Sequence, residues 1–89
     1  MDSILNIAAY RFVPLRNLAA WQADLLQAAQ RLGLKGTVLL AEEGINLFLA
    51  GAQSDVRQWL QHLQSHEPFA GLRAKESWSD RVPFQRLRV

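Results

Sequence analysis

Leu39 to Gly51 reads LLAEEGINLFLAG, two apolar runs joined by the polar knot Glu42-Glu43-Gly44. The arms, Thr37 to Ala41 and Ile45 to Ala50, are rich in branched and aromatic residues and bounded by glycine, the pattern of a β-hairpin. A two-residue hairpin loop usually carries Asn-Gly or Asp-Gly. The Glu pair is therefore either a turn of another kind or part of a site. Neighbouring side chains on an extended strand point to opposite faces, so Glu42 and Glu43 do not make a paired acid–base dyad, and glycosidase chemistry is excluded. Gly44 reads as a turn residue with positive φ and Asn46 as a hydrogen-bonding partner of the turn. In the functional alternative one glutamate pairs with Arg86 or Arg88 and fixes the hairpin against the C-terminal strand or a following domain.

On either side of the hairpin the element types alternate. Ile4 to Phe12 is a strand whose Leu5, Ile7 and Ala9 share one face, while Asn6, Ala8, Tyr10 and Phe12 share the other. Leu18, Trp21, Leu25, Ala28 and Leu32 then recur at helical spacing, with Asn17 at the N-cap and Gly33 as the left-handed C-terminal residue. Ser54 or Asp55 caps a second helix that lines Val56, Leu60 and Leu63 on one face, Trp59 beside them, and ends before Pro68. Leu72 to Trp78 and Phe84 to Val89 are extended segments separated by the Ser79-Asp80-Arg81 turn. The order β-α-β-β-α-β is the split βαβ pattern of an α+β, ferredoxin-like sandwich. Right-handed crossovers place both helices on one face of its antiparallel sheet. The other face stays open, and Tyr10, Phe12 and Phe48 are the side chains to look for there.

Eighty-nine residues with 49% hydrophobic and 20% charged side chains make one globular domain with a single core. Without cysteine, disulfides, thiolate metal sites and a cysteine nucleophile are excluded within this stretch. The N-terminal MDSILNIAAYRF has no basic lead-in and its apolar run breaks at Asn6 and Arg11, so neither a signal peptide nor a membrane span is expected, and a cytoplasmic protein is the default. Charge is concentrated at the end: Arg73, Lys75, Arg81, Arg86 and Arg88 face only Glu76 and Asp80 in residues 73–89. Such a tail suits phosphates, and it is also what a charge-guarded edge strand looks like. His62 and His66, spaced i, i+4, supply half a zinc site with no third or fourth ligand apparent, so no metal is expected. Trp21 and Trp59 belong to core-facing helical stripes, and Trp78 is the exposed one.

KGTVLLAEEGIN, Lys35 to Asn46, resembles the LAEEGIN segment in the N-terminal domain of the rhodanese-like tRNA uridine hydroxylases, long described as rhodanese-related sulfurtransferases. RLGLKG at Arg31 to Gly36 resembles that family's helix-to-strand junction, and KES at Lys75 to Ser77 and PFQRLRV at Pro83 to Val89 resemble its later segments. Asn46-Leu47-Phe48-Leu49-Ala50-Gly51 departs from it, lacking a glycine and a threonine that the family carries beside the Asn. The resemblance implies that residues 1–89 are an acylphosphatase-like N-terminal module of a longer protein, ahead of a rhodanese-like domain that holds an essential cysteine. It implies oxygen-dependent 5-hydroxylation of the wobble uridine of tRNA by the whole enzyme. The module would assist tRNA binding or position the catalytic domain. Its partners are then tRNA and its own C-terminal rhodanese-like domain. Arg73, Lys75, Arg86 and Arg88 are the expected tRNA contacts, and Glu42, Glu43, Gly44 and Asn46 form a hairpin motif with a structural or interdomain role. No catalytic residue and no cofactor is expected in this stretch.

Two alternatives share the element order. An acylphosphatase needs a phosphate-cradling loop with an arginine after the first strand, and FVPLRN, Phe12 to Asn17, has Arg16 but also Pro14 and no glycine. An RNA-recognition motif needs a basic-Gly-aromatic third strand, where GINLFLAG offers only Phe48.

Overall fold

The hairpin forms as expected: β2 (Lys35–Ala41) and β3 (Gly44–Ala52) run antiparallel, with Ala41 opposite Gly44 across the turn. The computed structural model describes residues 3–89. β1 (Ile4–Phe12) pairs antiparallel with β3 along its whole length, and its alternation buries Leu5, Ile7 and Ala9 while Tyr10 and Phe12 stay exposed. β4 (Lys75–Ser79) pairs antiparallel with the other edge of β1. A two-residue strand, β5 (Leu87–Arg88), adds in parallel to β2 at Gly36 and Thr37. The sheet order β4-β1-β3-β2-β5 is the ferredoxin-like order with one strand appended.

Both helices, α1 (Leu18–Arg31) and α2 (Gln53–Gln64), pack on one face of the sheet. α1 ends in a Schellman motif: Gly33, at φ 68°, donates to Gln30 O, and the Leu34 amide donates to Ala29 O, which folds Leu34 into the core. Its start differs from the expected cap. Asn17 occupies the N-cap in a left-handed conformation (φ 55°, ψ 54°) without a side-chain cap bond, and its carbonyl accepts from Ala20 and Trp21. The N-cap of α2 is Ala52, earlier than Ser54 or Asp55, because β3 runs into the helix without a loop. Asp55 sits in the first turn instead, where a carboxylate meets the positive end of the helix dipole.

Leu5, Ile7, Val38, Leu47 and Leu49 from the sheet meet Leu25, Val56, Trp59 and Leu63 from the helices. Trp59 is fully buried, and its indole Nε1 donates to Leu25 O at 3.2 Å, so the bulkiest core side chain also bonds α2 to α1. Leu18, Trp21 and Leu60, expected in the core, are half-buried at its margin, as is Leu40. Phe69, in the 3-10 turn Glu67–Phe69, and Leu72 close the end.

The expected extended segments at the C-terminus are shorter than read and lie far apart. β4 and β5 occupy opposite edges of the sheet, four strand spacings or about 19 Å from each other. Residues 80–86, with bends at Asp80, Arg81, Pro83 and Gln85, bridge this distance as a strap. The strap crosses the face away from the helices: Pro83 and Phe84 border one depression with Ala8 and Phe48 and another with Thr37 and Arg88. That face is thus partly covered, where an entirely open one was expected. Pro83 brings no amide proton to a ladder, and strand pairing resumes only at β5.

Candidate functional site

The glutamate knot is a turn, and its backbone does structural work. Neither Glu42 nor Glu43 has positive φ, Asn17 being the one described non-glycine residue that does. The unusual conformation falls on Gly44, at φ 149°, where a Cβ would stand 2.0 Å from the Arg11 carbonyl oxygen. Glu43 O accepts from Val13 N, and Glu42 O accepts from Leu15 N, each at 2.9 Å, which pins the loop after β1 to the hairpin. Both glutamate side chains are exposed. Arg86 and Arg88 lie beside Gly36 and Thr37 at the far end of β2, about 13 Å along the strand from the turn, so the pairing considered between a knot glutamate and these arginines is not made. Among the described residues Arg57 pairs with Glu76, and Asp24 lies against His62 and His66.

The same two bonds close the phosphate-loop position. The Val13 and Leu15 amides are spent on the hairpin and Pro14 has none, so three successive positions of the loop after β1 offer no N–H group to a phosphate. Arg16 stands exposed beside it.

On the sheet face away from the helices, one cross-strand row runs Lys75, Ala8, Phe48, Thr37, Arg88. The next row runs Tyr10, Asn46, Leu39. Tyr10 is 69% and Phe12 85% exposed, and their rings meet edge to face at 5.9 Å. A depression of about 240 Å³ gathers Ala8, Tyr10, Asn46 and Phe48 with Arg73 and Lys75. Another, of about 260 Å³, lies between Tyr10, Phe12, Leu39 and the turn at Glu43 and Gly44. Of the residues singled out from sequence, Arg73, Lys75 and Asn46 share one depression. Arg86 and Arg88 stand across the sheet beside Phe84 and Thr37. Arg11 also borders the depression beside the turn, but its guanidinium is committed elsewhere, donating to the carbonyls of Pro68 (3.2 Å) and Ala70 (2.8 Å).

The helical side holds a cluster that the sequence reading missed. Asp24 of α1 reaches His62 and His66, its Oδ2 lying 2.8 Å and 3.4 Å from their Nε2 atoms. The histidine spacing was visible; the aspartate, on another helix, gave no local signal.

A family model described as the UPF0176 acylphosphatase like domain matches residues 4–89. A tRNA uridine(34) hydroxylase of Delftia acidovorans is 52% identical over the whole chain, and one of Bordetella petrii 55% identical. The chain spans only 34% and 35% of their lengths. Among solved structures, the BLUF protein BlrB in its dark state superposes with a TM-score of 0.68 at 14% identity, over 99% of this chain and 74% of that one. An acylphosphatase from Coxiella burnetii superposes with a TM-score of 0.62 at 13% identity, over 98% and 90%. At such identities these likenesses speak for the fold alone. Among the described residues no helix is long and apolar enough to cross a membrane.

Proposed function

The chain belongs to the UPF0176 acylphosphatase-like N-terminal domain family, and on that premise we propose that it is the accessory, RNA-holding module of a longer tRNA-modifying enzyme. The relatives named tRNA uridine(34) hydroxylase extend about three times as far as this chain. In this reading the chemistry, oxygen-dependent hydroxylation of the wobble uridine, belongs to the remainder, a rhodanese-like domain, and the whole acts in the cytoplasm where tRNA is found.

The observation that carries the reading is the depression where Tyr10 and Phe48 stand among Arg73, Lys75 and Asn46. Exposed aromatic rings on a sheet offer stacking surfaces to unpaired bases, each stack being worth about 1–3 kcal/mol. Flanking cations hold the phosphates without reading sequence. Arg86 and Arg88 offer further cations on the other side of the strap at Pro83 and Phe84. The likeness to an acylphosphatase supports the fold and not its chemistry, since two amides of the loop after β1 are committed to the hairpin and Pro14 brings none.

A titration of unmodified tRNA against the chain at several salt concentrations tests this. Binding in the range of about 10⁻⁴–10⁻⁶ M that weakens as salt rises is expected. Absence of binding at low salt overturns the RNA-holding role and leaves the face as a surface for positioning the catalytic domain.

A further inference from the structure

We propose that Asp24, His62 and His66 form a binding site for a divalent late first-row transition metal, with Zn²⁺ as its probe. Two separate pieces of chain converge there: Asp24 comes from the middle of α1, and His62 and His66 from the last turn of α2 and just beyond its C-cap, Ser65. Their three donor atoms lie within 4.8 Å of one another. Around an ion bound at about 2.0–2.2 Å, adjacent ligand atoms stand roughly 3–3.5 Å apart. From Asp24 Oδ2 the 3.4 Å to His66 Nε2 falls in that range and the 2.8 Å to His62 Nε2 just short of it, so small shifts of the side chains bring the three donors around an ion.

An ordinary interhelical ion pair accounts for only part of this. Asp24 and His62 are hydrogen-bonded. His66 Nε2, however, is shielded from solvent and has no hydrogen-bond partner although it faces the same carboxylate. A buried ring nitrogen without a partner is rare in folded proteins. A cation between the three donors satisfies all of them at once. The His66 ring is held edge-on against Trp21, with centroids 5.0 Å apart, and against His62 at 5.3 Å, so its orientation is set by packing before any ion arrives. All three side chains are partly exposed, which leaves an entry path and room for water to complete the coordination. Two imidazoles and one carboxylate suit Zn²⁺, Co²⁺, Ni²⁺ or Cu²⁺, and they suit Mg²⁺ or Ca²⁺ poorly. The bound ion would clip α1 to the end of α2, on the side of the domain away from the candidate RNA surface.

The test is calorimetric titration of ZnCl₂ into the tag-free, chelator-treated chain at pH 7.5 with millimolar Mg²⁺ present. One equivalent is expected to bind, and Asp24→Asn, His62→Gln and His66→Gln are each expected to weaken binding by at least about tenfold. Imidazole ¹⁵N spectra of the unaltered chain give a readout that needs no variant to fold: one equivalent of Zn²⁺ should move the Nε2 resonances of both His62 and His66. No saturable binding below about 100 µM, a level well within reach of three-ligand sites, overturns the proposal. So does a zinc complex that leaves either Nε2 resonance in place.

Discussion

Lys75 and Arg88 stand at the two ends of one cross-strand row, Lys75 opposite Ala8 at one edge of the sheet and Arg88 opposite Thr37 at the other, with Phe48 between them. The basic C-terminal segment is therefore two separate cationic edges that flank an aromatic centre. If RNA lies across this face, Arg73→Ala with Lys75→Ala, and Arg86→Ala with Arg88→Ala, should each weaken tRNA binding. Each pair should also flatten the slope of log affinity against log salt by roughly 1.4 to 1.8, the release expected for two phosphate contacts. Loss from one pair only would confine the path to that edge.

Tyr10→Ala separates stacking from charge. Affinity for single-stranded RNA should fall by about 1–3 kcal/mol with the salt slope unchanged. Tyr10 is 69% exposed, so the folded state should tolerate the change, and circular dichroism checks this. Unaltered affinity would mean that no base stacks on this ring.

Leu25→Ala removes a fully buried side chain from the contact between α1 and the sheet. A loss of about 2–5 kcal/mol in urea unfolding is expected, a large part of a small domain's stability. A loss below about 1 kcal/mol would mean that the core can collapse around the gap.

Gly44→Ala should be more damaging than Gly33→Ala. At Gly33 a methyl group meets nothing within 4 Å, so the substitution costs only the left-handed penalty of about 1–2 kcal/mol. At Gly44 it runs into the Arg11 carbonyl oxygen, part of the backbone of β1. Comparing the two denaturation midpoints decides the point. Equal losses would contradict the close approach of the hairpin to β1.

Acyl phosphate hydrolysis should stay at background, and Arg16→Ala should not alter it, since the Val13 and Leu15 amides are committed to Glu43 and Glu42. A phosphate-release assay with and without the chain measures this. Turnover abolished by Arg16→Ala would show that the loop opens.

By itself the sequence determined the element order, the hairpin around Glu42-Glu43-Gly44, the Schellman end of α1 at Gly33 and the one-sided core built on Leu5, Ile7, Leu25, Val56 and Leu63. These follow from local physics: side-chain periods of two and 3.6 assign faces, and glycine tolerates backbone that other residues avoid. Only the tertiary structure decided that β4 and β5 sit on opposite edges, that the strap at Pro83 and Phe84 crosses the sheet, that Glu42 and Glu43 bond the loop after β1 through their carbonyls, and that Asp24 joins His62 and His66. Each of those depends on which distant segment becomes a neighbour. Backbone N–H and C=O groups are the same in every residue except proline, so a strand's own sequence shows which face it buries but not whose edge it will meet.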